Sequence, residues 1–369
     1  MALTPVVLAL NASGLAVAEI IARALDAPLH GRTGRVVQAD AFFDNALDHA
    51  RDLFAAGVPI VGVCASGILI RAVAPLLSDK RQEPPVVSVA DDGSVVVPLL
   101  GGHRGANRLA RNIAEALGGT AAVTTAGDVS LGVSLDEPPE GWALTNPQDA
   151  KGAMAALLSG GGAALVGSEA ARATWLADMP AGDAVRLSCD MMQQSDLGSH
   201  HLHFAPKRVT IGVGCARNCP PEELTELVRT ALNEAGVCDA AVHSINTISL
   251  KADEPAILEL AQHLNVPLRL FSAEELEAEA PRLATPSDVV FAEVGCHGVS
   301  EGAALAQLGS EGELWLQKRK TANATVALGL TDRPLTDLRG AARGRLSVVG
   351  IGPGQAAWRT PEVSRLIAD

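Results

Sequence analysis

The stretch that decides the fold is Val209-Thr210-Ile211-Gly212-Val213, followed after a short loop by Pro220-Pro221-Glu222-Glu223. The first five residues are β-branched or glycine and read as a buried strand. The prolines and acids then open a helix. Proline at the first helical position gives up no needed N–H, and the acids suit the positive end of the helix dipole. A strand running into a helix begins a βα unit. Beyond it, strands are expected at Ala240–Ile245, Leu268–Phe271, Val289–Phe291 and Thr325–Leu330, with helices at Glu254–Leu264, Ala273–Glu279 and Ser300–Leu308. Before it, Pro5–Leu10 reads as a strand, Asn11–Gly14 as a turn and Leu15–Leu25 as a helix. Val58–Val63 is a strand and Ile68–Leu77 a helix, while Val86–Val89 and Val95–Leu99 flank a hairpin turn at Asp91-Asp92-Gly93. Arg108–Leu117 puts Leu109, Ile113 and Leu117 on one helix face and stops at Gly118-Gly119. This alternation predicts an α/β, multi-domain fold of layered, mainly parallel sheets with flanking helices.

The punctuation predicts domains at 1–130, 131–206 and 207–330. The middle one is looser, broken by Glu137-Pro138-Pro139 and Gly160-Gly161-Gly162. Residues 331–344 read as a polar linker. Residues 345–369 hold a strand and glycine turn, Leu346–Gly354, that read as the truncated start of another domain.

Composition narrows the function. Aromatic residues are 3% of the chain, without a Tyr, and the formal charge is −13. Base-stacking platforms and basic footprints are both lacking, so nucleic acid is not an expected partner. No apolar run approaches the roughly 18 residues needed to span a bilayer, and the N-terminus has no basic start, so neither a membrane nor export is expected. The six scattered Cys read as reduced thiols of a cytoplasmic protein. Cys215 and Cys219 have no second pair to complete a zinc site, and His200-His201-Leu202-His203 alternates like a strand. No protein-bound metal is expected.

Two segments carry the chemistry: Leu99-Leu100-Gly101-Gly102-His103-Arg104-Gly105-Ala106-Asn107 and Glu293-Val294-Gly295-Cys296-His297-Gly298-Val299-Ser300-Glu301. Each is a glycine-rich turn opening a helix, with a His at the turn. Free N–H groups and the dipole at such helix starts hold anions. An imidazole ordinarily titrates near neutrality, and His103 is the candidate base. Arg104 and Arg108 share a helix face and could grip carboxylates, as could Arg71 after Ala65-Ser66-Gly67. Ser66 lacks the Gly-x-Ser-x-Gly elbow of a serine hydrolase. Lys251, at a strand end, could stabilise an oxyanion. Glu301 reads as a first-turn acid behind Ser300 as N-cap.

These two segments, with Gly62-Val63-Cys64-Ala65-Ser66-Gly67-Ile68-Leu69-Ile70-Arg71 and Gly212-Val213-Gly214-Cys215-Ala216-Arg217, resemble the cobalamin-biosynthesis hydrolases that act on cobalt-precorrin-5A. Ser249-Leu250-Lys251-Ala252-Asp253-Glu254 and Gln317-Lys318-Arg319-Lys320-Thr321 extend the likeness to about residues 1–330. One departure is Gly101, where the family often has Ser. Leu346–Gly354 with Thr360-Pro361 is similar to the start of a precorrin-3B C(17)-methyltransferase, a domain otherwise missing here.

The resemblance implies opening of a δ-lactone and release of acetaldehyde to give cobalt-precorrin-5B. It implies catalytic roles for His103, Lys251 and Glu301. It implies substrate contacts from Arg71, Gly102, Arg104, Asn107, Cys215, Arg217, Gly298 and Ser300, in a cleft between the first and last domains. No cofactor is implied. The cobalt belongs to the corrinoid substrate, and S-adenosylmethionine would serve only the missing methyltransferase. Other enzymes of the same pathway are the implied protein partners. The rival reading is a non-catalytic carrier of a corrinoid intermediate within a bifunctional protein.

Overall fold

The computed structural model describes residues 4–79, 83–192, 194, 197–344 and 350. They fall into two compact units, residues 4–129 and residues 130–344.

The first unit is one sheet of seven strands: β1 (Val6–Ala9), β2 (Leu29–Arg32), β3 (Ala41–Phe43), β4 (Ile60–Val63), β5 (Val86–Val89), β6 (Val95–Leu100) and β7 (Thr120–Ala121). Their order is β3-β2-β1-β4-β5-β6-β7, parallel from β3 through β5, with β6 turned back against β5. This is a doubly wound arrangement, and β1 alternates to match. Val7 and Ala9 pack with α1 (Leu15–Leu25), while Val6 and Leu8 pack with α2 (Ala46–Ala55) and α3 (Ser66–Val73). A fourth helix, α4 (Ala106–Leu117), joins the first face and ends at Gly118 with φ +65°. A short α5 (Ala126–Leu131) follows.

The second unit holds two sheets. A four-stranded sheet contains β8 (Trp142–Leu144), β9 (Ala163–Val166), β10 (Val185–Cys189) and β11 (His201–Pro206), in the order β8-β11-β10-β9. Helix α6 (Ala150–Leu158) covers it, and Trp175 meets the Phe204 ring edge-on at 5.1 Å in its core. The tract His201–His203 is the start of β11.

The six-stranded sheet contains β12 (Val209–Cys215), β13 (Val242–Ile248), β14 (Leu268–Phe271), β15 (Gly312–Lys320), β16 (Ala324–Thr331) and β17 (Ala341–Ala342), in the order β15-β16-β12-β13-β14-β17. Strands β12, β13 and β14 are parallel, and the other three are antiparallel to their neighbours. Val209, Ile211 and Val213 face α7 (Pro221–Ala235) and α8 (Pro255–His263). On the opposite face lies α11 (Val299–Leu308), preceded by α9 (Ala273–Glu277) and α10 (Asp288–Val294). A buried ion pair fastens the two sheets of this unit together. Arg208, between β11 and β12, holds Glu169 at 2.5 Å and donates to the Thr331 carbonyl.

Three readings of the sequence are corrected. Val289–Phe291 is helical, part of α10, despite its β-branched residues. Ser287 caps the first turn, Asp288 suits the dipole, and Gly295 at φ +80° ends the helix, so capping outweighs propensity. The stretch 331–344 is packed rather than a free linker: its Ala341–Ala342 pairs with β14, and Leu335 N–H donates to the Lys207 carbonyl. The nine-residue strand β15 is additional to the strands expected. It is a bulged edge strand whose side chains alternate between half-buried and exposed for most of its length. The segment read at Leu346–Gly354, and Thr360-Pro361, lie outside the described residues apart from Gly350. Among the described residues no helix is long and apolar enough to cross a membrane.

Buried His243 on β13 gives the second unit an acid-sensitive element. Burial first, and Lys207 second, push its imidazole down to about 4 from 6.5. The folded chain therefore holds it neutral where the unfolded chain protonates it, so stability falls as pH drops through that window. The expected loss is on the order of 3 kcal/mol between pH 6.5 and 4. Urea unfolding of the wild type and of His243→Leu at pH 7 and pH 4.5 checks this: the variant should lose less stability on acidification.

Candidate active site at the carboxyl edge of the six-stranded sheet

In parallel α/β sheets, ligands bind outside the carboxyl ends of the strands. In the second unit this edge gathers the end of β12, the turn after β13 and the start of α11. Their meeting depends on close packing of α11 on β12. A Cβ placed on Gly212 would lie 1.9 Å from the Ser300 carbonyl oxygen, so only glycine fits there. One on Gly214 would touch Val299 at 3.5 Å, and the Thr210 hydroxyl donates to the Ala304 carbonyl at 3.0 Å. The first turn of α11 thus sits beside the end of β12, next to Cys215.

After β13, a single 3-10 turn, Ser249–Lys251, carries Lys251. Its ammonium lies 3.9 Å from Glu254, which is 1% exposed. Glu254 also accepts from the Asn218 N–H at 2.8 Å and faces Arg217 at 3.5 Å. Arg217 binds Asp253 at 2.8 Å and the Leu250 carbonyl at 2.7 Å. The Cys215 thiol lies within this cluster, pushed up to about 11 by burial and then by the Glu254 charge, so it stays protonated. Three candidates from the sequence, Lys251, Cys215 and Arg217, are therefore brought together, with Glu254 as the carboxylate that orders them.

The start of α11 supplies the other half. Gly298 is its N-cap, so Ser300 is a buried second residue of the helix and not the cap that the sequence suggested. Glu301 lies in the first turn as expected, but it is 1% exposed and fully engaged. It accepts from the Ala284 and Thr285 N–H groups, each at 2.9 Å, the Thr285 hydroxyl at 3.0 Å and the Lys318 N–H at 2.9 Å. Four donors on one carboxylate tie the 284–285 loop and β15 to α11.

His297, just before the helix, has a geometry the sequence did not single out. Its Nδ1 lies 2.8 and 3.0 Å from the two carboxylate oxygens of Glu277, and its backbone N–H donates to Glu277 at 2.9 Å. Those hydrogen bonds, the backbone one first, hold the Glu277 carboxyl below its usual range. Phe291 stacks on the ring at 4.5 Å. Nδ1–H on the carboxylate leaves Nε2 with a lone pair, the tautomer a general base requires. Nε2 lies 3.6 Å from the fully exposed carboxylate of Asp288. The pattern Gly-Cys-His-Gly marked this His in the sequence; its partner, twenty residues earlier, did not.

The remaining candidates lie in the first unit. His103 is in a 3-10 turn, Gly102–Arg104, between Gly101 at φ +75° and Gly105 at φ +102°; its side chain is outside the described residues. A Cβ on Gly101 would lie 2.7 Å from the Pro85 backbone, which accounts for the glycine there. Arg104 is exposed and Gly102 half-buried. Asn107 is buried and donates to the Thr125 hydroxyl at 2.7 Å, so its amide is committed within the unit. Arg71 folds back onto the Gly67 carbonyl at 2.9 Å. The Ser66 hydroxyl donates to the Ser88 hydroxyl at 3.1 Å.

Two family models match this fold. The family model described as "Cobalamin synthesis G C-terminus" matches residues 209–329, and "Cobalamin synthesis G N-terminal" matches residues 48–128. The chain belongs to this CbiG family. It is similar to Protein CobE of Sinorhizobium sp, 48% identical over 120 residues, 32% of this chain and 78% of that protein. It is also similar to the cobalt-precorrin-5A hydrolase of Priestia megaterium, 28% identical over 301 residues (75% of this chain, 80% of that one). The cobalt-precorrin-5A hydrolase of Salmonella typhimurium strain LT2 is 29% identical over 347 residues, 87% of this chain and 96% of that one.

The role given to Glu301 has a direct test. Removing a carboxylate that satisfies four donors leaves those donors unpaired, at a cost of roughly 3 kcal/mol or more. Urea denaturation of Glu301→Ala should show that loss, with Glu301→Gln in between. Wild-type stability in Glu301→Ala would contradict the anchoring role.

Proposed function

We propose that this chain is the hydrolase that opens the δ-lactone of cobalt-precorrin-5A and releases acetaldehyde, giving cobalt-precorrin-5B. The observation that carries the chemistry is the His297–Glu277 pair, placed at the same sheet edge as Lys251. In this reading water attacks the lactone carbonyl while His297 Nε2 takes its proton. The Lys251 ammonium stabilises the oxyanion that forms. Collapse breaks the ring C–O bond, leaving a carboxylate and a hydroxyl on the two-carbon unit. Loss of the hydroxyl proton then drives cleavage of the C–C bond to the macrocycle. Acetaldehyde departs, and the electron pair returns to the macrocycle carbon, which is protonated. Water is the only co-substrate, and the cobalt travels with the substrate.

The other roles follow from position. Glu277 holds the base in its tautomer. Glu254 fixes Lys251 and Arg217, and Arg217 with the α11 N–H groups receives peripheral carboxylates. Glu301 is a positioning residue in this scheme, since its oxygens are already occupied. Arg104 and Arg71 stay as substrate-binding candidates of the first unit, and in this scheme the base role read for His103 falls to His297.

Anaerobic incubation with cobalt-precorrin-5A, followed by acetaldehyde assay and mass analysis of the macrocycle, tests the reading. Turnover with acetaldehyde is expected from the wild type. His297→Ala and Lys251→Met should each lower kcat at least about a hundredfold, and Glu277→Gln should do so less severely. Substrate bound but unchanged would overturn the hydrolase reading in favour of the non-catalytic carrier. Full activity in His297→Ala would remove that residue from the mechanism.

A further inference from the structure

The turn between β15 and β16 stands at the same sheet edge, and the register of the sheet decides which face its lysine occupies. Lys320 on β15 pairs with Thr325 on β16, and Thr325 pairs with Gly214 on β12. Residues directly opposite each other in antiparallel strands put their side chains on one face. That face is the one α11 covers: a Cβ on Gly214 would meet Val299 at 3.5 Å and the Thr325 hydroxyl at 2.9 Å. Lys320 therefore lies two strand spacings, roughly 10 Å, from Gly214, on the face where α11 begins. The neighbouring pair falls on the other face, as it must. Arg319 pairs with Val326, which is buried in the core with α7, and its guanidinium binds Glu234 of α7.

The three consecutive cations of β15 thus differ in their surroundings. Lys318 donates to the Thr285 carbonyl at 3.1 Å, and Arg319 is paired with Glu234. Lys320 is exposed, and its ammonium has no ion-pair partner among the described residues. Its backbone is held. Glu223, in the first turn of α7, accepts from the Thr321 hydroxyl at 2.5 Å and from the backbone N–H and side-chain amide of Asn323, each at 2.9 Å. The Asn323 carbonyl accepts from the Ala216 N–H at 2.8 Å, which ties the turn to the loop that carries Arg217. In a chain of formal charge −13, an anionic ligand depends on such local positive groups. A fixed backbone also lowers the ordering cost of using this one.

We infer that Lys320 is a further substrate-binding residue, which receives a peripheral carboxylate of the corrinoid at the α11 face of the site. The identity of the ligand rests on the reading proposed above. The position of the lysine does not.

The test is equilibrium dialysis of the full chain against cobyrinic acid, a cobalt corrin with carboxylate side chains and no lactone, read from the visible absorbance of the corrin. The wild type should bind it saturably. Lys320→Gln should raise Kd about tenfold, the worth of about 1.4 kcal/mol, and Lys320→Arg should return it close to the wild-type value. Arg319→Gln, one residue along on the other face, should leave Kd unchanged. With cobalt-precorrin-5A as substrate, Lys320→Gln should raise KM by a similar factor at constant kcat. A wild-type Kd in Lys320→Gln, an equal loss in Arg319→Gln, or no saturable binding by the wild type would overturn the proposal. Acetaldehyde release decides the hydrolase reading separately. A wild type that binds the corrin through Lys320 and releases no acetaldehyde would overturn that reading and leave this one standing.

Discussion

The close approach of α11 to β12 is the constraint on which the second unit depends. Thr210, Gly212 and Gly214 face the helix, and a single methyl at Gly212 would collide with the Ser300 carbonyl. Large side chains would hold the helix farther from the sheet, as in ordinary α/β packing. Without them, the first turn of α11 comes level with the end of β12. The His297 loop and the 3-10 turn of Lys251 then share one edge. Glu301 completes the arrangement by taking donors from two other segments, so one buried carboxylate orients the loop at 284–285 and the strand β15 around the same helix.

The edge divides its charged groups by task. Glu254 and Glu301 are buried and hydrogen-bonded, which suits groups that hold others in place. Arg217 and His297 keep part of their surface open, which suits groups that meet a ligand. Each partly open group is tied on one side: Arg217 to Asp253 and the Leu250 carbonyl, His297 to Glu277. Fixing a side chain before the ligand arrives lowers the ordering cost of binding and of reaction.

Much of this was legible in the chain. The strands β1 and β12 declare themselves by β-branched runs, and helices α1, α7 and α8 by apolar periodicity. Lys251 and Cys215 read as strand-end residues in the sequence, and β12 and β13 do end at the same edge. What stayed hidden was set by contacts between distant segments. Glu301 looked like an ordinary first-turn acid, since its donors come from residues 284, 285 and 318. His297 stood in plain view, but its carboxylate partner lies on a different helix. Val289–Phe291 carried a strand signal that the capping at Ser287 and Gly295 overrode, and exposed Val289 has no core to enter. The edge strand β15, half-open to solvent and rich in Lys and Arg, lacks the apolar run that marks the central strands.

The central claim is that the substrate is held and opened at the carboxyl edge of the six-stranded sheet. Hydrogen–deuterium exchange of the whole chain, with and without cobalt-precorrin-5A under anaerobic conditions, tests it most directly. The account predicts protection of 215–219, 249–254 and 296–300 when substrate is bound. Saturating substrate that leaves all three segments unprotected while protecting others would contradict it.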